Sequence, residues 1–358
     1  MVKSIVCISV RHNDFSKTLE YPLFTKVINV LEDVDCAALS RKTIAAVLVN
    51  NQVYSLHDRI DINCTLVPVG FDTEIGAAIY RRSLCFLLAM ASSQLWPERR
   101  LIISHSIGHS LYYYFETSEA TTSDVQALKT KMKELIDLSL PMKRMTLSFD
   151  DALSHFKEAG LQQTLSLLQH KNNPRIHVNV CGESIDLWYS PLVENTSYLS
   201  AFELEKYQEG LIVRYPASSE PNKVAPFIDN PVLYKVYKEH NIWGRCLDVH
   251  CVGALNDTIL EGKVQDFIHV AESLHDGKTA RIADKVPESC KLICICGPSS
   301  SGKTTFSHKL GIALQARGWK PITMALDDYY VPRKDTPLDE DGNYDFEQPD
   351  ALDLPSIE

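Results

Sequence analysis

Gly297-Pro298-Ser299-Ser300-Ser301-Gly302-Lys303-Thr304 has the spacing G-x-x-x-x-G-K-[ST], a glycine-rich turn whose backbone N–H groups cradle phosphates. Its flanks supply the setting such a turn needs. Lys291-Leu292-Ile293-Cys294-Ile295-Cys296 is an apolar run of strand length, suited to burial on both faces. Downstream, Phe306, Leu310, Ala313 and Leu314 recur at helical spacing, and Gly318 is a stop signal. Strand, glycine turn and helix together predict an α/β unit in which the loop and the helix N-terminus converge on phosphate. Lys303 would carry charge to the terminal phosphates and Thr304 a hydroxyl to Mg²⁺. The candidate nucleotide-binding set is Gly297, Pro298, Ser299, Ser300, Ser301, Gly302, Lys303, Thr304 and Thr305.

Ile322-Thr323-Met324-Ala325-Leu326 reads as the next strand and ends in Asp327-Asp328-Tyr329-Tyr330. Ligands in open parallel sheets bind beyond the carboxyl ends of the strands, so a carboxylate there faces the phosphates. Asp327 is the candidate to orient an acceptor hydroxyl for in-line attack and to take its proton. Asp328 reads equally as a helix or turn cap. The acidic stretch from Asp327 onward is either a solvated loop or a metal site.

Gly297 to Thr305, Asp327-Asp328-Tyr329-Tyr330 and Tyr344-Asp345-Phe346-Glu347-Gln348-Pro349-Asp350-Ala351 together resemble the uridine kinase and phosphoribulokinase family. The resemblance covers Lys291 to Asp353. It implies Mg·ATP-dependent phosphoryl transfer to a nucleoside-type hydroxyl, with Asp327 as base, Lys303 on phosphate, and Tyr330, Phe346 and Glu347 around the nucleoside. Glu347 and Gln348 depart from the Asp and His usual in that family, which puts the acceptor in doubt. Only about fifty residues follow the loop, where such a domain needs well over a hundred. The expectation is therefore a fragment, inactive as a kinase by itself.

The chain has 358 residues, 45% hydrophobic and 23% charged, which predicts two or three globular domains. A net charge of −10 gives no global attraction to nucleic acid. The ten cysteines include neither C-x-x-C nor zinc-type spacing, which fits reduced thiols in a cytoplasmic protein. No apolar run reaches the ~18 residues of a membrane span, so no membrane partner is expected.

Residues 1–67 read as a small mixed module. Ala45-Ala46-Val47-Leu48-Val49, the turn Asn50-Asn51, and Gln52-Val53-Tyr54 form a hairpin signal. With Asp61 to Leu66 they resemble a TGS domain, a β-grasp module found at the front of threonyl-tRNA synthetases. Residues 68–216 contain a helix opening at Tyr80, strand-like Ser104 to Phe115, and the run Ile185 to Val193. This order resembles the second additional domain of threonyl- and alanyl-type synthetases, whose editing pocket carries H-x-x-x-H and C-x-x-x-H ligands. The corresponding positions are Arg82, Phe86, Trp188 and Leu192, none of which can bind zinc. The domain is thus expected to be a non-editing scaffold or binding surface, with a weak RNA or protein contact.

His105-Ser106-Ile107-Gly108-His109 also spells H-x-x-x-H but falls in strand and turn, which predicts surface or loop histidines. Tyr112-Tyr113-Tyr114 is expected to be half core and half surface. Residues 217–288 read as a partly helical connector, with a helix from Val264 ended by Asp276-Gly277. Residues 289–358 are the start of the P-loop unit. The expected fold is multidomain, α+β followed by α/β: a TGS-like β-grasp module, a synthetase editing-type domain, a helical connector and an incomplete P-loop kinase domain. Two further functions stay open: a nucleotide-sensing P-loop ATPase, and an RNA- or tRNA-associated binding protein without kinase activity.

Overall fold

The computed structural model describes residues 5–13, 15–34, 43–171, 173–298 and 300–357. The chain divides into two compact units, residues 1–256 and 257–358.

The first unit opens with a hairpin of β1 (Ile5–His12) and β2 (Phe15–Pro22). Short β3 (Thr25–Lys26) leads into α1 (Val27–Glu32). Then follow β4 (Ile44–Val49), β5 (Gln52–Tyr54), β6 (Arg59–Ile60) and β7 (Cys64–Gly70). The sheet order is β2-β1-β7-β4-β5, with β1 and β7 parallel (Ile8 opposite Cys64) and the other pairs antiparallel. That is β-grasp topology. Strand period explains the core: Val6, Ile8 and Val10 point to one face and close over Val27, Val30 and Leu66. The β4–β5 turn has Asn50 at φ 48° and Asn51 at φ 67°, the positive pair a two-residue type I′ hairpin requires.

The opposite face of β4 and β7 receives α2 (Glu74–Leu95), which starts six residues before the expected Tyr80 because Thr73 caps it by accepting from the Gly76 N–H. By length and composition α2 alone among the described helices is apolar enough to cross a membrane, yet most of it is buried inside the fold. Ile79, Leu84, Leu87 and Leu88 join Ala45, Ala46 and Val69 of the β-grasp sheet in one core. Each fully buried leucine contributes roughly 1.5–3 kcal/mol. His57 Nε2 meets the Glu194 carbonyl at 3.0 Å, and Arg144 pairs with Asp58 at 3.3 Å, so polar contacts reinforce the same junction.

Beyond α2, β8 (Leu101–Ser106) and β9 (Ser110–Phe115) form a hairpin, followed by α3 (Thr122–Asp137). Thr121 and Asp124 close a capping box at the start of α3. The Arg99 guanidinium also grips Asp124 with two hydrogen bonds of 3.0 and 3.1 Å, and chiefly through them lowers its pKa. Next come β10 (Lys143–Ser148), α4 (Phe149–Glu158), α5 (Gln162–Gln169), β11 (Arg175–Cys181) and β12 (Ser184–Leu187). The three strands pair in the order β10-β11-β12, with α4 and α5 covering the face of Ile176, Val178 and Leu187. β13 (Glu203–Tyr207) and β14 (Gly210–Arg214) complete a second sheet, β13-β14-β9-β8. Asn230 caps α6 (Pro231–Cys246), and α7 (Val252–Leu260) spans the boundary between units.

The second unit contains α8 (Val264–Asp284), α9 (Lys303–Gln315) and the short α10 (Leu354–Ile357). α8 runs through Gly277 rather than stopping there, because its last turns pack: Ala283 meets Leu310 and Leu314 of α9. Two ion pairs of 2.6 Å, Lys309–Asp276 and Arg317–Asp284, bracket that contact.

The expected α/β sheet is absent among the described residues of this unit. Lys291–Cys296 and Ile322–Ala325 form no strand, and only the isolated bridges Tyr330–Leu352 and Leu338–Tyr344 occur. A buried parallel strand needs partners on both edges and cover on both faces. Here Leu292 is 78% and Ile322 89% exposed.

Candidate functional site

The glycine turn adopts part of the geometry its sequence predicts. Gly302 (φ 82°) is left-handed at the cap of α9, and Ser300 (φ 60°) is also left-handed. Lys303 folds back, its Nζ donating to the carbonyls of Gly297 (2.6 Å) and Pro298 (3.1 Å). The Ser301 N–H donates to the Pro298 carbonyl, tightening the turn. A Cβ on Gly297 would stand 2.9 Å from Ser301 Oγ, a contact that rotation of the serine side chain relieves. Thr304 and Thr305 are exposed in the first turn of α9, and Ser299 lies outside the described residues.

The remaining residues of the expected kinase site separate into two groups. Tyr330 and Phe346 come together edge to face at 5.7 Å, with the Tyr330 hydroxyl donating to the Phe346 carbonyl. Glu347 donates its N–H to Asp345 Oδ1. Asp327 lies in the exposed 3-10 turn Leu326–Tyr329 rather than at a strand end. No hydrogen bond or ion pair among the described residues joins it to Lys303.

In the first unit, two of the four positions that resemble the synthetase-type pocket, Phe86 and Leu192, fall in one apolar cluster, and the other two, Arg82 and Trp188, lie outside it. Phe86 on α2 and Leu192 after β12 are buried in one cluster. Ser83, one turn before Leu87, accepts the Val193 N–H at 2.9 Å and fixes that turn against α2. Arg82 is exposed. Trp188 is half-buried on the solvent side of β10-β11-β12. The Arg144 guanidinium stands 5.4 Å from the Trp188 ring centre, and His177 packs edge-on at 6.1 Å. Among the described residues, no group of three or more His, Cys, Asp or Glu side chains is placed to hold a metal.

Strand period decides that sheet face. Ile176 and Val178 point inward, so Arg175 and His177 point outward, and pairing of Thr146 with His177 puts Arg144 on the same outer face. A hydrogen bond of 2.8 Å between Thr146 Oγ1 and His177 Nδ1 ties the two strands. The result is an outer face with exposed Arg144, His177 and Arg175 and the half-buried Trp188. Sequence reading found Trp188 only as a lost ligand; the β10–β11 register that sets Arg144 and His177 beside it was the missing signal.

His105 corrects another expectation. It is not a surface or loop histidine: it is 8% exposed in β8, stacked on Tyr237 at 4.0 Å, and burial pushes its pKa down. His109 stays in the exposed turn. Tyr112 and Tyr113 are buried on opposite faces of β9, and Tyr114 is half-buried.

Comparison with known proteins places these features. No protein-family model matches the chain. It is similar to the threonine–tRNA ligase of Syntrophomonas wolfei (30% identity over 232 residues, 64% of this chain and 34% of the relative). It is also similar to those of Desulforamulus reducens (28% over 209 residues, 57% and 32%) and Maridesulfovibrio salexigens (31% over 172 residues, 47% and 27%). The chain spans about a third of the length of these relatives. The similarity supports the TGS-like and synthetase-like parts and a mixed α+β, multidomain fold. It overturns the expected uridine-kinase-like phosphotransferase: the relatives are tRNA ligases, and none supports a kinase domain or a nucleoside acceptor.

Proposed function

We propose that this chain is a cytoplasmic RNA-associated binding protein whose synthetase-like N-terminal unit holds a tRNA and does not edit it. The observation that carries this is the extended similarity to threonine–tRNA ligases, which fits the outer face of Arg144, His177 and half-buried Trp188. Domain limits of 1–67, 68–216, 217–288 and 289–358 belong to the same proposal. An accessible aromatic edge beside an arginine is the local chemistry single-stranded nucleic acid uses, by base stacking and phosphate neutralisation. It operates here despite a net charge of −10 because the contact is local. Phe86 and Leu192 fill the place where a hydrolytic metal would need ligands, so binding without hydrolysis is the supported chemistry.

The test is a titration of fluorescently labelled tRNA with the full chain across salt. Saturable binding whose log affinity falls with log salt at a slope of about −2 to −4 is expected, as for a few phosphate contacts. Absence of saturable binding at low salt overturns the proposal.

The glycine turn supports a separate phosphate site in the second unit. The Lys303 ammonium sits against two loop carbonyls, close to where loop N–H groups would receive an anion, and Gly302 supplies the left-handed step into α9. Gly297, Pro298, Ser300, Ser301, Gly302, Lys303, Thr304 and Thr305 would hold the phosphates of ATP, with the Thr304 hydroxyl toward Mg²⁺, whose charge would neutralise the phosphate oxygens. Lys303→Ala is expected to weaken Mg·ATP binding by about tenfold or more, through loss of a charge-assisted contact. Equal affinity of the two proteins, measured by calorimetry, removes Lys303 from the site.

A further inference from the structure

The acidic stretch from Asp327 onward is used by neither the tRNA face nor the glycine turn. Ten of the 27 residues from Asp327 to Asp353 are Asp or Glu, against Arg333 and Lys334, so a net −8 of the chain's −10 is concentrated here. The stretch lies wholly in the second unit. A run of charge alone solvates a loop. This one also holds three aromatic side chains in contact at its surface. Phe346 meets Tyr330 edge to face at 5.7 Å and Tyr344 at 6.3 Å. Tyr330 is 41%, Tyr344 49% and Phe346 40% exposed. Single exposed rings are ordinary, but a contiguous group marks a surface with a partner.

Backbone pairing displays the rings. The Val331 N–H donates to the Ala351 carbonyl (2.9 Å) and the Asp353 N–H to that of Tyr329 (2.8 Å), which holds Tyr330 beside residues 351–353. The Asp345 N–H donates to the Pro337 carbonyl (2.8 Å) and the Asp339 N–H to that of Asn343 (2.8 Å), which holds Tyr344 in a second turn. The same pairings set carboxylates near the rings. Asp327 and Asp328 lie in the 3-10 turn that leads into Tyr330, Asp350 and Asp353 flank the segment paired with it, and Asp345 and Glu347 flank Phe346. Asp345 is occupied by the Glu347 N–H and the Gln348 side chain. Among the described residues, Asp327, Asp328, Glu347 and Asp350 form no ion pair, and no Arg or Lys stands over any of the three rings. What such a surface lacks is a cation.

We propose that this face docks an arginine-rich peptide segment of another protein, with guanidinium groups on the rings of Tyr330, Tyr344 and Phe346 and paired to the carboxylates beside them. The face of an aromatic ring attracts a cation within about 6 Å of its centre. A guanidinium adds planar stacking and forked donation to a carboxylate, which a lysine ammonium lacks. Charge selects the occupant. A nucleic acid strand would bring phosphate to a surface of net −8, and an uncharged apolar partner would cover carboxylates without pairing them. The face belongs to the second unit, so tRNA binding by the first neither requires it nor reports on it.

The experiment is fluorescence anisotropy of a labelled Arg-Ser repeat peptide titrated with the full chain, beside its Lys-Ser counterpart of equal charge. Saturable binding with a Kd below about 100 μM at about 0.1 M salt is expected, weakening as salt rises. The arginine peptide should bind about threefold or more tighter than the lysine peptide. Phe346→Leu and Tyr344→Leu keep apolar bulk and every charge but remove a ring. Each should weaken the arginine peptide by about three- to fivefold, with thermal unfolding unchanged. Glu347→Gln with Asp350→Asn should weaken both peptides and flatten their salt dependence. No saturable binding of the arginine peptide up to about 1 mM overturns the proposal. Equal affinity for the two peptides, or for the parent and both folded leucine proteins, also overturns it, because the attraction then comes from charge alone. A dimer in sedimentation that Phe346→Leu dissociates overturns it too, and assigns the face to a second copy of the chain.

Discussion

Gly76→Ala will destabilise the first unit by about 3 kcal/mol, lowering its melting temperature by roughly 10 °C. In an exposed helix the same exchange stabilises by up to about 1 kcal/mol, because alanine is the better helix former. The sign reverses because of what α2 touches in its first turn. A Cβ at residue 76 would stand 2.0 Å from the Gly70 carbonyl oxygen and 2.7 Å from its carbon. Those atoms are backbone at the end of β7, so no side-chain rotation can relieve the overlap. Gly70 and Gly76 thus set the distance at which the β-grasp sheet meets α2, and the Ala45, Ala46 and Val69 contacts depend on that distance. Gly277→Ala is the control: Gly277 lies inside α8, and nothing stands within 4 Å of its added Cβ. Thermal and urea unfolding of both variants should move in opposite directions. A Gly76→Ala protein as stable as the parent would mean the close approach is not a real constraint.

What could be read from the chain follows the range of the interactions concerned. The Asn50-Asn51 turn was legible because two adjacent residues tolerate left-handed backbone, and nothing distant is needed to form it. The meeting of Phe86 and Leu192 in one cluster was not legible from spacing, since Leu192 lies far along the chain from α2; only the resemblance to a synthetase domain paired them. Lys291–Cys296 failed because an apolar run reports a capacity for burial, not the presence of neighbours to bury it. In the structure it has no hydrogen-bonded strand partner among the described residues. The motif that follows it described a local turn correctly in part, and the kinase that the turn suggested required a sheet and an aspartate position that the chain does not assemble. His105 was misjudged for a related reason. Its burial comes from Tyr237 and Tyr234 of α6, more than 120 residues away in sequence, in a segment that composition marked only as connector.

Trp188→Ala will weaken tRNA binding by about 1–3 kcal/mol, roughly five- to 150-fold, while leaving the fold intact. The indole is half-buried at the sheet surface, outside the cores formed by Phe156 and Val178 on one side and by α2 on the other. Its loss removes a stacking surface and also the support for Arg144, which sits between the indole and the Asp58 carboxylate. Arg144→Ala should therefore act through a different term. It removes one phosphate-neutralising charge, reducing the salt slope by about one, with an effect that vanishes near 1 M salt. Trp188→Ala should leave the slope nearly unchanged and persist at high salt, because stacking is not screened. The two effects will be less than additive, since Trp188 orients the guanidinium that Arg144 supplies. Binding assays at two salt concentrations on both single variants and the double variant separate these terms. If all four proteins bind equally, RNA is held on another face of the unit. If Trp188→Ala flattens the salt slope as much as Arg144→Ala, the indole serves only to position the cation.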